Sequence, residues 1–250
     1  MSDTAIIETE NLTKLYKNET AVSGLSFNVN PGEIFGFLGP NGAGKTTTLL
    51  MLMGLTEPTS GKARVLGIDP SRDPIKVKRK IGYLQENMGF YRDMNAVQSL
   101  SYIAELNGIA PQVAADRIED ALLSVGLDSE RSKAISAYSR GMRQRLGIAE
   151  LLVKEPEVAF LDEPTLGLDP DTTNRILELI QALCAEKKMT VLLSSHMLNQ
   201  VQRVCTRVGI MINGHMVAQG SMDQLAQEKL GIGQETYTLE EVYMKYFQES

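Results

Sequence analysis

One stretch of eight residues, Gly39–Thr46, constrains the fold of this chain more than any other. It reads Gly-Pro-Asn-Gly-Ala-Gly-Lys-Thr and fits G-x-x-x-x-G-K-T, the pattern of a phosphate-binding loop. Residues 34–38 before it form an apolar run that predicts a buried strand, and residues 47–53 after it have the apolar spacing of a helix. A strand, this loop and a helix in succession favour an α/β nucleotide-binding core.

The composition of the loop indicates which ligand it binds. Glycines let backbone N–H groups approach a polyphosphate closely, and the helix N-terminus adds unpaired N–H groups and a partial positive charge. Lys45 is predicted to bridge the outer phosphates, and the Thr46 hydroxyl is predicted to bind Mg²⁺. The predicted nucleotide-binding residues of this region are Gly39, Asn41, Gly42, Ala43, Gly44, Lys45, Thr46 and Thr47.

The bulk properties of the chain limit its partners and its compartment. Its 250 residues carry a net charge of −6, which disfavours nucleic acid as the main partner. No apolar run approaches the length of a membrane span, and the first ten residues lack the basic residues of a signal peptide. The two cysteines lack metal-binding spacing and fit a reducing compartment. We therefore expect a cytoplasmic protein that meets a membrane only through a partner.

Hydrophobic periodicity predicts how the chain is organised along its length. Residues 4–38 read as strands of an antiparallel layer, and residues 94–154 read as three helices inserted into the core. Beyond the insertion, short apolar runs alternate with helices, as in a parallel sheet covered on both faces. We predict one α/β domain over residues 4–220, with a helical subdomain at about 88–154, and a C-terminal extension over residues 221–250.

Polar side chains follow three further apolar runs, at the point where each run ends. Gln85 follows the first run, Asp162 and Glu163 end the second, and His196 follows the third. If these runs are strands parallel to the one before the phosphate loop, their carboxyl ends share one edge of the sheet. Ligands of open α/β sheets bind at that edge. The four side chains are therefore predicted to surround the γ-phosphate of the nucleotide.

Each of these side chains has a predicted role in nucleotide hydrolysis. Asp162 would hold a hydrated magnesium ion, and Gln85 would contact that metal or its water. Glu163 would act as the general base or orient the attacking water, while His196 would hydrogen-bond the γ-phosphate. Together with Lys45, they would catalyse in-line attack of water on the γ-phosphorus, mainly by positioning and charge stabilisation.

These residues together resemble the motifs of the nucleotide-binding subunit of ABC transporters, over roughly residues 5–220. Gly39–Thr46 resembles the Walker A motif and Val158–Glu163 the Walker B motif. Gln85 is placed like the Q-loop glutamine, and His196 like the switch histidine. The resemblance implies a P-loop NTPase (RecA-like) core with an antiparallel β subdomain and an inserted α-helical subdomain. It also implies ATP and Mg²⁺ as the ligands.

Two further parts of the sequence resemble ATP-contacting parts of that family. Tyr16 is placed like the aromatic residue that stacks on adenine, although it also reads as an ordinary half-buried strand tyrosine. Residues 138–146 resemble the family signature, commonly Leu-Ser-Gly-Gly-Gln, in which Ser139 and Gly141 match. In the family the signature binds the γ-phosphate held by the opposite subunit. The resemblance therefore implies a second nucleotide-binding subunit, and the complete motif set favours a homodimer.

The signature departs from the usual family pattern at Tyr138, Arg140 and Met142. The arginines further along it, Arg143 and Arg145, are interpreted as a solvated helix face. This variant signature, together with the ending over residues 238–243, resembles the subgroup that serves ABC-2-type membrane subunits, which are mostly exporters.

Residues 166–169 resemble the D-loop of the family. The resemblance implies that Asp169 links the two ATP sites across the dimer. Because Pro170 follows it, Asp169 is also expected to cap a helix, and the two roles are compatible. Leu166 stands where a serine is usual in the family.

The segment after Gln85 resembles the surface that receives a short helix of the transmembrane subunit. The expected groove is formed by Phe90, Tyr91 and Met94 and rimmed by Glu86, Arg92 and Asp93. Internal packing of the helical subdomain is the other interpretation of these residues. The expected partner is a polytopic membrane permease, which would hold the chain at the inner face of the cell membrane.

Three functions are compatible with the motifs. The first is an ATPase subunit that works as a dimer and powers a separate permease, with export as the expected direction. The second is a soluble ABC-type ATPase that acts on ribosomes or DNA, which the acidic charge and the lack of a second ATPase module or a long coiled-coil insertion disfavour. The third is a regulatory module that binds ATP without turnover, which the carboxylate of Glu163 disfavours.

Overall fold

The computed structural model describes residues 5–230 and 237–248. Its strands are β1 (Ile7–Tyr16), β2 (Glu19–Val29), β3 (Ile34–Leu38), β4 (Ser60–Val65), β5 (Ile81–Leu84), β6 (Val158–Asp162), β7 (Thr190–Ser195), β8 (Arg207–Ile212) and β9 (His215–Ser221). Its helices are α1 (Lys45–Leu52), α2 (Pro74–Lys80), α3 (Ala96–Leu106), α4 (Pro111–Ser124), α5 (Arg140–Lys154), α6 (Pro170–Lys187), α7 (Leu198–Val204), α8 (Met222–Leu230) and α9 (Leu239–Gln248). None of the helices in these two ranges is long and apolar enough to cross a bilayer.

Strand β3, which leads into the phosphate loop, lies inside a six-stranded sheet. The strand order is β5-β6-β7-β3-β8-β9, and every neighbouring pair is parallel except β8 and β9. β3, β6 and β7 are buried along their whole length, which explains why their sequences are apolar without alternation. The carboxyl ends of β5, β6, β7 and β3 therefore share one edge of the sheet, and the α/β prediction is confirmed.

A second, antiparallel sheet with the order β2-β1-β4 packs against this core. The ring centroid of Phe27 on β2 lies 5.7 Å from that of Phe35 and 5.4 Å from that of Phe37, both on β3. The turn between β8 and β9 also joins the layers, because the Gly214 carbonyl accepts from the Ser23 amide at 2.8 Å. The Gly214 amide in turn donates to the Ala43 carbonyl in the phosphate loop at 3.1 Å. These contacts hold the small sheet beside the loop.

The helices α3, α4 and α5 are inserted between β5 and β6, as the apolar spacing predicts. α3 begins with a capping box, in which the Asn95 side chain accepts from the Gln98 amide and the Gln98 side chain accepts from the Asn95 amide. α5 approaches the end of β5 closely at Gly147, where a Cβ would lie 2.6 Å from Leu84 and 2.7 Å from Met88. The helical subdomain is thus packed directly on the chain that surrounds Gln85.

The interpretation of Arg143 and Arg145 as a solvated face of α5 is wrong. Arg143 Nη1 donates to the Tyr138 carbonyl at 2.8 Å, and Arg145 Nη1 donates to the carbonyls of Val125 and Gly126 at 3.0 and 2.8 Å. The last two carbonyls belong to the end of α4, where helical partners are missing. Both arginines are half-buried and anchor the start of α5 to the rest of the subdomain.

Two parts of the fold differ in extent from the sequence reading. The helix α2 is not predicted from the sequence. It has seven residues and buries only the side chain of Val77, so it has no apolar periodicity to detect. The C-terminal extension, for which no packing was predicted, buries Leu225, Leu239 and Val242, and the Leu239 amide donates to Gln202 Oε1 on α7 at 2.9 Å. The predicted ends at residues 4 and 250 lie outside the described residues, and the domain division stays a prediction.

We expect Gly36→Ala to destabilise the chain. A Cβ at Gly36 would lie 2.6 Å from Val201 and 2.9 Å from Cys205, both behind β3. Overpacking of this kind costs about 1–3 kcal/mol. Gly89→Ala is the matched control, since nothing lies within 4 Å of a Cβ there. Urea unfolding of the two variants measures the difference, and equal midpoints would contradict the packing described here.

Candidate functional site

The candidate site lies at the edge of the sheet where β3, β7 and β6 end. β3 leads into the phosphate loop, β6 ends at Asp162 just before Glu163, and β7 ends at Ser195 just before His196. β7 pairs with β3 on one side and with β6 on the other. The topology thereby brings together side chains from three distant parts of the sequence.

The phosphate loop takes its shape from glycines in left-handed conformations. Gly42 has φ of 82° and Gly44 has φ of 100°. A Cβ at Gly44 would also lie 2.4 Å from the Ala21 carbonyl oxygen, so the position requires glycine. α1 begins directly after Gly44 without a side-chain cap, which leaves the N–H groups of its first turn to bind an anion. The other residues predicted to bind nucleotide here are Gly39, Asn41, Ala43, Lys45, Thr46 and Thr47.

Lys45 is buried at the start of α1 and points back over the loop. Its Nζ donates to the carbonyls of Gly39 at 2.6 Å and Pro40 at 3.1 Å, and it lies 3.9 Å from Glu163 Oε1. Burial lowers the pKa of Lys45, and the negative charges of Glu163 and Asp162 oppose that shift. The Lys45 ammonium therefore lies within the loop, where phosphate oxygens would bind.

Asp162 is held by two hydroxyl groups. Thr46 Oγ1 donates to Asp162 Oδ2 at 2.9 Å, and Ser194 Oγ donates to Asp162 Oδ1. Hard oxygen donors of this kind suit Mg²⁺, which takes one or two carboxylates and fills its other positions with water and substrate phosphates. Clusters of three or more His, Cys, Asp or Glu able to hold a metal are absent from the described residues. The pair fits a metal that arrives with a nucleotide.

Glu163 lies between a histidine and a lysine. Its Oε1 is 2.9 Å from His196 Nδ1, and the Glu163 side chain is almost fully buried while that of His196 remains about one-third exposed. The Glu163 backbone has φ of 48°, a left-handed conformation that is strained for a residue with a side chain. Its amide also donates to the Ser194 carbonyl at 3.1 Å. Backbone and side chain together fix the carboxylate beside the loop.

Gln85 and Tyr16 are both exposed, unlike Lys45, Asp162 and Glu163. Gln85 is exposed at the end of β5, next in register after the Leu84–Leu161 pair, and its side chain makes no hydrogen bond within the described residues. Tyr16 ends β1, is 46% exposed and has Lys14 Nζ 4.9 Å from its ring centroid. An exposed ring suits stacking on a base, and both roles stay predictions.

The signature residues lie at the start of α5, where they contact the D-loop rather than the phosphate loop. Ser139 is exposed and caps α5 by accepting from the Met142 amide at 3.2 Å. A Cβ at Gly141 would lie 3.1 Å from Thr172 on α6. Asp169 caps α6 by accepting from the Thr172 amide at 3.0 Å, and hydrogen bonds from Thr172 lower the pKa of Asp169. Hydrogen bonds from Ser139 or Gly141 to the phosphate loop are absent within residues 5–230 and 237–248.

The residues at which the signature departs from the family pattern each have identifiable contacts or burial in the structure. Tyr138 is buried and donates from its hydroxyl to the Glu130 carbonyl at 2.8 Å, so it extends the core of the helical subdomain. Met142 packs against that core, and Leu166 is half-buried. Arg140 is exposed, and a Cβ at Gly167 would lie 2.5 Å from its Nη1. The Arg140 guanidinium thus lies over the D-loop.

The groove expected after Gln85 is only partly formed by the predicted residues. Phe90, Glu86 and Arg92 line a cavity of about 550 Å³ beside the start of α5. Met94 packs against the core of the subdomain. The Tyr91 ring lies edge-on to Tyr102 with their centroids 5.6 Å apart, outside the cavity.

Two functional contacts were missed by sequence reasoning. Ser194 supports both Asp162 and Glu163, and its hydroxyl beside a buried strand end was the available signal. Thr165, in the loop after Glu163, donates to Gln200 Oε1 on α7, the helix that follows His196. No sequence pattern indicates that contact, because the two residues meet only through the fold.

Sequence comparison relates the chain to known proteins. A sequence profile described as ABC transporter matches residues 22–166. The chain is 41% identical to the bacitracin transport ATP-binding protein BcrA of Bacillus licheniformis, over 88% of this chain and 71% of that protein. It is 36% identical to the daunorubicin/doxorubicin resistance ATP-binding protein DrrA of Streptomyces peucetius, over 89% of this chain and 67% of that protein.

Solved structures give the same fold. The ATP binding subunit of an ABC transporter superposes with a TM-score of 0.87 at 28% identity, covering 97% of this chain and 99% of that chain. A dimeric ATP-binding cassette in a post-hydrolysis state, bound to ADP and Pi, superposes with a TM-score of 0.79 at 24% identity, covering 86% of this chain and 98% of that chain.

The strain at Glu163 predicts an unusual order of stabilities. Inside regular structure, a glycine normally makes a protein about 0.5–1 kcal/mol less stable than an alanine at the same position. A left-handed backbone reverses that preference. We expect Glu163→Gly to unfold at a higher urea concentration than Glu163→Ala, because its free energy of unfolding should be larger by about 1 kcal/mol. Both variants lose the same carboxylate, so each controls for the other. An alanine variant as stable as the glycine variant would show that the backbone is unstrained.

Proposed function

Since the chain belongs to the ABC transporter family, we propose that Glu163, held between Lys45 and His196, drives the ATP hydrolysis that powers export through a separate membrane permease. The family activity is ATP hydrolysis coupled to transport. The observation that carries the residue assignment is the 2.9 Å contact between Glu163 Oε1 and His196 Nδ1, with Lys45 Nζ 3.9 Å from the same oxygen. A carboxylate so placed lies where a water beside bound phosphates would react.

ATP binding requires the loop to exchange its internal contacts for contacts with phosphates. The uncapped N–H groups of α1 and the Lys45 ammonium bind the phosphate oxygens. In doing so, Lys45 leaves the carbonyls of Gly39 and Pro40, to which it donates in the present structure. The exposed ring of Tyr16 stacks on the adenine. These changes need little reorganisation, because the glycines of the loop already hold its backbone in the binding conformation.

Hydrolysis depends on positioning by this chain's own side chains. Glu163 accepts a hydrogen bond from the attacking water and aligns it with the γ-phosphorus. His196 holds the Glu163 carboxylate by its Nδ1 contact and faces the γ-phosphate. Thr46 and Asp162 would hold Mg²⁺, which neutralises charge on the phosphates when it is bound. Gln85, at the end of the neighbouring strand, would contact the metal or its water.

The site is completed by a second copy of the chain. Ser139 is exposed at the start of α5, and neither it nor Gly141 hydrogen-bonds to the phosphate loop within the described residues, so their anion-binding groups are available to another subunit. Asp169 lies beside them at the start of α6 and links the two sites. The complete set of motifs supports a homodimer.

The names of two relatives support export as the direction of transport. The proteins matched at 41% and 36% identity are named for bacitracin transport and for daunorubicin/doxorubicin resistance. Removal of the compound from the cell would account for such resistance, so we propose that this chain powers export. It works at the inner face of the cell membrane, bound to its permease, and the permease selects the cargo.

The first test is Glu163→Gln, which removes the negative charge with little change in shape. We expect ATP binding to be retained and kcat to fall by at least 100-fold, with an ATP-bound dimer accumulating on size-exclusion chromatography. The trapped variant then serves as bait in detergent-solubilised membranes, where it should capture a polytopic permease. Hydrolysis at the parental rate would contradict the role of Glu163. A fully active enzyme that captures no permease would contradict the transport function.

The second test concerns completion of the site in trans. Ser139→Arg places a bulky cation at the start of α5, so we expect turnover to be lost while ATP binding by the monomer stays within about twofold. Ser132→Arg, an exposed serine of the same subdomain, is the control and should remain active. Loss of ATP binding by the Ser139→Arg monomer would place Ser139 in the site of its own chain.

A further inference from the structure

Two contacts join the segment that follows β6 to the segment that follows β7, beyond the paired ends of these strands. In the inner contact, Glu163 Oε1 lies 2.9 Å from His196 Nδ1. In the outer contact, the Thr165 hydroxyl donates to Gln200 Oε1 on α7. Thr165 follows Glu163 by two residues, and Gln200 follows His196 by four. The proposed ATP site uses the inner contact and gives no role to the outer contact.

The loop that carries Thr165 holds its hydroxyl in a fixed place. Thr165 is only 4% exposed, and its carbonyl accepts from the Leu168 amide at 3.2 Å. The Glu163 carbonyl accepts from the Leu166 amide at 3.1 Å, so two successive turns fold this loop. A buried hydroxyl that loses its partner is costly, which ties the Thr165 side chain to α7. Glu163 and Thr165 therefore form one rigid unit on the β6 side.

The backbone of His196 is supported on both sides. Before it, Ser195 ends β7, and the Ser195 hydroxyl accepts from the Met197 amide at 3.0 Å. After it, Gln200 lies in the first turn of α7, next to Val201, which is fully buried against β3. The His196 side chain itself is about one-third exposed, which leaves space for its ring to turn. The helix that follows the histidine is thus fixed more firmly than the ring.

Hydrolysis by positioning requires both segments to keep their separation. Reacting atoms must lie about 3–3.5 Å apart, and a misplacement of about 1 Å lowers the rate by about 100-fold. The inner contact alone does not fix the separation, because the His196 ring must leave Glu163 to face the γ-phosphate. The outer contact persists during that movement, since neither Thr165 nor Gln200 belongs to the inner contact.

We propose that Thr165 and Gln200 are positioning residues for ATP hydrolysis, which hold the backbone of His196 at a set distance from Glu163 while the ring turns to the γ-phosphate. The inference rests on the proposed function and adds to it two residues that act through the catalytic pair. ATP binding depends on the phosphate loop and on Tyr16, which the outer contact does not include. Loss of the outer contact therefore lowers kcat and leaves the affinity for ATP unchanged.

The experiment measures the ATPase of the full chain with Thr165→Val, which keeps the shape of the side chain and removes the hydroxyl. We expect kcat to fall by about 10-fold or more, while KM for ATP stays within about twofold of the parent. Thr165→Ser retains the donor and should restore at least about half of the parental kcat. Thr206→Val is the matched control, because the Thr206 hydroxyl donates to the Ile34 carbonyl at the opposite edge of the sheet.

The partner of Thr165 provides a second, independent variant. Gln200→Met keeps the approximate length of the side chain and removes the acceptor oxygen, so it should lower kcat as Thr165→Val does. The double variant should lose no more activity than either single variant, because both changes remove the same contact. If Thr165→Val does not fold, Gln200→Met decides the question by the same criteria.

A third comparison distinguishes positioning from general support of the fold. If Thr165 only stabilises the loop, Thr165→Val should lower kcat by the same factor in every background. If it positions the histidine, Thr165→Val should cost less than about twofold once His196→Ala has removed the ring.

The outcomes separate this inference from the proposed function. Parental kcat in Thr165→Val, a rise in KM at constant kcat, or equal losses with and without the His196 ring would overturn the positioning role alone. Parental hydrolysis by Glu163→Gln and by His196→Ala would instead overturn the assignment of the catalytic pair, and the positioning role with it.

Discussion

The parallel pairing of β6, β7 and β3 is the constraint on which the rest of the site depends. It places the carboxylate at the end of β6, the serine and histidine at the end of β7 and the loop after β3 at one edge. The three strand ends are far apart in sequence, and their side chains would not be brought together by local structure alone. Because each strand is buried on both faces, a shift of one strand against its neighbour would displace the whole apolar core.

That rigidity supports groups that are unfavourable on their own. Lys45 and Glu163 are buried charges, and Glu163 also has a left-handed backbone. Each is tolerated because a neighbour compensates: Lys45 has the loop carbonyls, and Glu163 has His196. Ser194 contributes twice, through its hydroxyl to Asp162 and through its carbonyl to the Glu163 amide. At Glu163, the strain lies beside the loop that a nucleotide would meet.

The sequence predicted those parts of the fold that are encoded in local patterns. Gly39–Thr46 and the apolar runs of β6 and β7 specified the α/β core, and the 3.6-residue spacing specified the inserted helices. Contacts between distant elements could not be predicted in this way. The anchoring of Arg145 on the end of α4 and the contact of Thr165 with Gln200 depend on how helices pack. A polar residue on a helix reads as solvated until the neighbouring element is known.

The helix α7 shows why such contacts matter for function. It follows His196 directly, and three other parts of the chain hold it. Gly36 lets Val201 approach β3, Gln200 accepts from Thr165 near the D-loop, and Gln202 accepts from the amide that begins α9. The orientation of the histidine is therefore set by the sheet, the D-loop and the C-terminal tail together. The D-loop also packs against the signature helix, so packed atoms join the start of α5, the D-loop and the helix that follows the histidine.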